Sequence, residues 1–176
     1  DKVEKMKNGI IPIYEPHLDI LFERNIKQER LKFTTDLEEA VENAKIIFLA
    51  LPTPSGEDGS ADLSYVLSVA DDLGKIIKDY KVIVNKSTVP VGTAEKVKEA
   101  IAKNAKPDFD VVSNPEFLRE GFAVDDFLKP ERIIIGSNSG KARAIMEELY
   151  RPFVRQGNPV IFMDERSAEL AKYAAN

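Results

Sequence analysis

Two carboxylates four positions apart are the first residues in this 176-residue chain that could do chemistry: Glu116 and Glu120, in Ser113-Asn114-Pro115-Glu116-Phe117-Leu118-Arg119-Glu120-Gly121. If Pro115 opens a helical turn, the two fall on one face. Like charges that close raise one carboxyl pKa, which suits a general base near neutral pH. The plainer reading, a solvated turn with Arg119 in a salt bridge, stands level with it on these residues alone. Ser167 to Asn176 reads as a helix with Lys172 and Asn176 again four apart. A lysine and an amide on one face could hold an oxyanion or position a water, although such pairs are usually surface polar groups.

Two further segments offer hydroxyls. In Leu51-Pro52-Thr53-Pro54-Ser55, the prolines fix φ, and Thr53 and Ser55 could hydrogen-bond a phosphate or ribose; the alternative is a rigid turn with Asp62 capping the next helix. In Lys86-Ser87-Thr88-Val89-Pro90-Val91-Gly92-Thr93, Ser87 and Thr88 leave a strand end, and Thr93 can cap the helix that follows. Gly136-Ser137-Asn138-Ser139-Gly140-Lys141 lacks the spacing of a phosphate loop and reads as a turn and a cap.

Composition removes whole classes of chemistry. There is no cysteine, hence no disulfide, thiolate metal site or thiol nucleophile in these residues. A single histidine, His17, excludes a zinc site built on several imidazoles, no metal is expected, and His17 reads as a surface or helix-start residue. With 25 basic and 30 acidic residues, a net charge of −5 and no basic stripe, nucleic acid is not the expected partner. No apolar run reaches the roughly 18 residues of a membrane span, and the opening residues form no secretory core. A cytoplasmic chain is expected, one whose start reads as the middle of something longer.

The elements that must position these residues follow from periodicity. Short apolar runs at Ala44–Leu51, Lys81–Asn85, Phe109–Val112, Arg132–Ile135 and Pro159–Phe162 read as strands covered on both faces. Helical spacing marks Asp62 to about Tyr80, Thr93 to Lys103, Gly140 to Tyr150, and a last helix from near Ser167. Strands alternating with helices give an α/β fold with a mostly parallel sheet. Ligands in such sheets sit beyond the carboxyl ends of the strands, where the four segments above lie.

Taken together and in order, Pro12-Ile13-Tyr14-Glu15-Pro16, Asp58 to Val66, Lys86 to Thr93, Asn114 to Gly121 and Lys172 to Asn176 resemble the UDP-glucose 6-dehydrogenase family, within the wider UDP-glucose/GDP-mannose dehydrogenases. The resemblance runs along essentially the whole chain. It implies a Rossmann-like, doubly wound, mostly parallel sheet with helices on both faces, and oxidation of a sugar C6 alcohol to a carboxylate with two NAD reduced per sugar. By the same resemblance, Lys2, Leu51, Pro52, Thr53, Pro54, Ser55, Ser87, Thr88 and Glu120 would meet NAD. Glu116 would be the acid/base, Thr88 would help hold a water, and Lys172 and Asn176 would stabilise an oxyanion. The sugar would lie against Glu116, Phe117, Leu118, Arg119, Glu120, Lys172 and Asn176.

The family's glycine-rich first loop, thioester cysteine and later sugar-nucleotide domain are not in this sequence. Residues 1–165 therefore read as a partial NAD-binding domain and 166–176 as the start of a central helix, of a parent expected to be a homodimer acting on a UDP-sugar. A piece in this form is expected to be inactive alone. GDP-mannose or UDP-N-acetylmannosamine dehydrogenation, or a truncated non-catalytic module, are the alternatives. His17 stands where the family usually has glycine.

Overall fold

The computed structural model of the protein describes residues 2–54, 61–154 and 157–175. Each of the five apolar runs becomes a strand: β1 (Ile46–Leu49), β2 (Lys81–Asn85), β3 (Phe109–Ser113), β4 (Ile133–Gly136) and β5 (Val160–Met163). They lie side by side in chain order, parallel throughout except where β3 meets β4 at Ser113 and Gly136. The helices are α1 (Lys2–Lys7), α2 (Leu18–Lys27), α3 (Leu37–Glu42), α4 (Ser64–Ile76), α5 (Thr93–Ala102), α6 (Ala123–Leu128), α7 (Gly140–Tyr150) and α8 (Glu165–Ala175). Among the described residues, no helix is long and apolar enough to cross a membrane.

Side chains alternate across a strand, so the central strands feed two cores. Ile83 of β2 joins Val66, Leu73, Val97 and Ile101 on the face covered by α4 and α5. Its neighbours Val82 and Val84 join Ile135, Met146 and Tyr150 on the face covered by α7. The expectation of strands buried on both faces holds for β2; β1 lies at one edge of the sheet formed by the described residues, where Phe48 is 40% exposed.

Two glycines set helix positions. A Cβ at Gly74 would fall inside contact distance of the Ile101 carbonyl, so α4 and α5 touch backbone to backbone there. Gly74→Ala is expected to lower stability by about 2 kcal/mol in thermal unfolding, because packed helices must part; an unchanged midpoint would remove this account. At Gly136 a Cβ would collide with Ala168, so the glycine lets α8 descend onto the end of β4. That descent carries Lys172 to the ends of the strands.

Local signals were followed with shifts of a residue or more. Helix α4 stops at Ile76 rather than Tyr80, because Ile77 turns extended and the Tyr80 hydroxyl donates to Asp110 at 2.6 Å. Leu63, not Asp62, is the cap residue of α4, although the Asp62 carboxylate accepts from the Ser64 amide at 2.8 Å. Thr93 is not the cap of α5: Gly92, at φ 92°, holds that place and the Thr93 hydroxyl donates to the Pro90 carbonyl. Ser139 caps α7 as its sequence implies. His17 sits exposed at the start of α2 with φ 67°, a left-handed backbone that glycine reaches without strain.

Candidate active site

Beyond the carboxyl ends of β2 and β3, and beside the start of the antiparallel β4, opens a cleft of about 390 Å³. Its central feature is an ion pair. Lys172, from α8 and 7% exposed, donates to the Glu116 carboxylate at 2.9 Å and to the Glu116 carbonyl at 2.6 Å. The second carboxylate oxygen of Glu116 accepts from the Leu118 amide at 2.6 Å. Burial alone would push the Glu116 carboxyl up. The Lys172 ammonium, the Leu118 amide and the more distant Lys86 outweigh it and hold the group below the usual glutamate range.

This corrects the expected origin of the base. Residues 114–119 form no helical turn, and Glu120 is exposed and does not line the cleft. The charge that faces Glu116 is Lys172, so its pKa moves down, not up by repulsion from Glu120. Arg119 pairs with Asp126 at 2.7 and 3.0 Å, the salt bridge of the plainer reading, and stays at the rim. Phe117 lies under Arg132, 4.6 Å from its ring centroid, and under Lys172 at 5.5 Å. Leu118 lines the cleft beside them.

Lys86 had no individual role in the sequence reading, yet it faces the same cleft. Its ammonium lies 3.4 Å from both the Asn114 side-chain oxygen and the Tyr150 hydroxyl, near the rings of Tyr150 and Phe127. Burial pushes it down to about 8; Glu116 resists that shift and Lys172 adds to it. Because the folded value is depressed, the folded chain binds fewer protons than the unfolded one between about 8 and the ordinary 10.5. Wild type is therefore expected to gain stability relative to Lys86→Met as pH rises through that window. Denaturant unfolding at several pH values measures it, and a flat or falling difference would contradict the assignment.

The exits of β1 and β2 are laced together. The Leu51 amide donates to the Ser87 hydroxyl at 2.9 Å, Ser87 donates back to the Leu51 carbonyl at 2.7 Å, and Thr53 donates to the Thr88 carbonyl at 2.9 Å. The hydroxyl protons of Thr53 and Ser87 are thus spent on the loops themselves. The Thr88 hydroxyl makes no hydrogen bond among the described residues. Leu51 to Pro54 and Ser87 to Thr88 form a continuous ledge along the strand ends, the place a dinucleotide takes in such sheets. Lys2 lies exposed on α1 with no bond to that ledge. Ser55 and Asn176 lie outside the described residues.

One buried carboxylate also escaped the sequence reading. Glu169, 3% exposed on α8, accepts from the Gly92 and Ala94 amides at 2.6 and 2.8 Å and from the Ser113 hydroxyl at 3.3 Å. Its only local signal is a charge placed beside Ala168 on the apolar side of the helix. Glu15, in the Tyr-Glu-Pro segment, has a comparable structural use: it accepts from the Gly121 and Ala123 amides at 3.1 and 2.7 Å, where α6 begins.

Parallel strands whose exits converge on a ledge and cleft are the architecture of Rossmann-type dehydrogenases, and this chain is a domain of that class. Residues 1–154 match the UDP-glucose/GDP-mannose dehydrogenase family, NAD binding domain, and the chain belongs to that family. It is 51% identical, over 99% of its length, to UDP-glucose 6-dehydrogenase TuaD of Bacillus subtilis, spanning 38% of that protein. A UDP-glucose dehydrogenase structure from Pyrobaculum islandicum superposes with TM-score 0.92 at 42% identity, over 98% of this chain and 40% of that one. A GDP-mannose dehydrogenase structure from Pseudomonas aeruginosa gives 0.90 at 33%, over 99% and 41%. The chain therefore spans about two fifths of the relatives it matches.

Proposed function

We propose that this chain forms the cofactor-binding part of an enzyme that oxidises UDP-glucose to UDP-glucuronate, reducing two NAD per sugar. The observation that carries the reading is the Glu116–Lys172 pair at the strand ends, a base and a cation held 2.9 Å apart in one cleft. The 51% identity to a UDP-glucose 6-dehydrogenase supports the substrate.

The ledge residues Leu51 to Pro54, Ser87 and Thr88 would hold NAD, which supplies a hydride acceptor when bound. The chain's own contribution is proton control. At rest, Glu116 is a carboxylate locked to Lys172. A sugar alcohol entering the cleft competes for the lysine's N–H donors. As Lys172 turns to the substrate oxygen, Glu116 loses its strongest stabilising partner, and burial then raises its basicity. The carboxylate takes the alcohol proton while the ammonium stabilises the oxygen left behind. The pair thus becomes a base and an oxyanion holder only when substrate separates them.

The thiol that the resemblance implies for the second oxidation must come from outside these cysteine-free 176 residues. Residues 1–165 then correspond to the cofactor-binding part, with α8 leading onward into a central helix, in a cytoplasmic homodimer; the resemblance and the lack of cysteine support this. The test is stoichiometry in the whole enzyme: two NADH per UDP-glucuronate are expected. One NADH per sugar, or preference for GDP-mannose or UDP-N-acetylmannosamine, would overturn the assignment.

A further inference from the structure

Behind the Glu116–Lys172 pair, on the α8 side of the sheet, lies a second and much smaller space. Asn85, the last residue of β2, is 3% exposed, and neither its side-chain Nδ2 nor its Oδ1 has a hydrogen-bond partner among the described residues. Native interiors almost always satisfy such groups, because a desolvated amide without partners is strongly unfavourable. The amide borders a pocket of about 10 Å³ whose other polar walls are Ser87, Ser113, Glu169 and Lys172.

Size and chemistry select the occupant. About 10 Å³ is the space of one water. A buried water needs two to four polar partners. Asn85 offers a donor and an acceptor. The Glu169 carboxylate retains lone pairs beside its three donors, and Lys172 spends two of its three N–H groups on Glu116. The Lys172 ammonium in the wall disfavours a metal cation.

We propose that this pocket is a binding site for one water molecule, held by the Asn85 amide and shared with Glu169 and Lys172. The water joins three elements that carry the active site. Asn85 ends the strand that runs into the Ser87–Thr88 loop, Glu169 fixes the start of α5, and Lys172 holds Glu116. Through it the end of β2, two residues before Ser87, is joined to Glu169 and Lys172 of α8, although no direct side-chain bond links Asn85 to either.

A crystal structure with resolved waters is the direct test, together with water-to-amide cross-relaxation at the Asn85 side chain. A water oxygen within hydrogen-bond distance of the amide, with a matching long-lived signal, is expected; a dry pocket would overturn the proposal. Asn85→Leu tests it by sign. With a bound water, the variant strips partners from Glu169 and Lys172, and Tm falls by about 3 °C. With a dry amide, the variant removes an unsatisfied group, and a raised Tm would sink the proposal. Should the leucine variant fail to fold, Asn85→Ser keeps a hydroxyl and enlarges the space. Its structure is expected to retain the water, and an empty pocket there counts against the site. None of these readings depends on catalysis, so they stand apart from the dehydrogenase assignment.

Discussion

Lys172→Met in the full dehydrogenase is expected to lower kcat by about 10²–10³-fold, the usual loss when one donor to a developing oxyanion is removed. Methionine keeps much of the lysine stem, so the α8 packing over β3 and β4 survives while the ammonium is lost. The pH profile separates a chemical role from a structural one. Without Lys172, the strongest of the influences that offset burial at Glu116 is gone, and its pKa rises. The acidic limb of kcat/KM then moves to higher pH, because the base must lose its proton before it can act. A variant with near-normal kcat, or with a large loss and an unmoved acidic limb, would remove Lys172 from the chemistry.

Glu116→Gln is expected to cost about 10²–10⁴-fold in kcat, the range for a positioned acid/base. Glutamine is nearly the same shape, its one carbonyl oxygen can still accept from the Leu118 amide, and Lys172 keeps its bond to the residue 116 backbone carbonyl, so the loop is expected to hold. KM for the nucleotide sugar should change far less than kcat, since the step removed is proton abstraction. The acidic limb assigned to Glu116 should disappear from the residual activity. Retention of that limb would place the titrating group elsewhere in the cleft, and activity within a few-fold of wild type would reject Glu116 as the base.

What could be read in the sequence was local. Gly140–Tyr150 is a helix to the residue because its cap, Ser139, and its apolar spacing lie within a single turn of each other. Lys81–Asn85 is a strand because it is covered on both faces, which a run of Val and Ile announces. The site itself was legible as a set of segments at strand ends, but not as a set of contacts. Pro115 promised a helical turn with Glu116 against Glu120, while the partner that decides the chemistry sits 56 positions away on α8. Thr93 looked like a cap, while the group that binds the Ala94 amide comes from 75 positions on. Lys86 owes its low basicity to burial beside Tyr150 and Phe127, and Asn85 its isolation to a pocket walled from three elements. No window of neighbouring residues contains that information.

The Glu169 carboxylate has one more consequence, for where a dinucleotide can put its charge. The first amides of a helix are a ready seat for phosphate, and at α5 that seat is taken by a side chain of the protein itself. Its occupant, a buried carboxyl group, is bonded to two of those amides, so a pyrophosphate approaching the exit of β2 would not find them as free donors. A nucleotide laid across these strand ends would therefore find its phosphate contacts away from the start of α5. The internal glutamate orients the ligand by exclusion, giving the ledge a polarity before any ligand arrives.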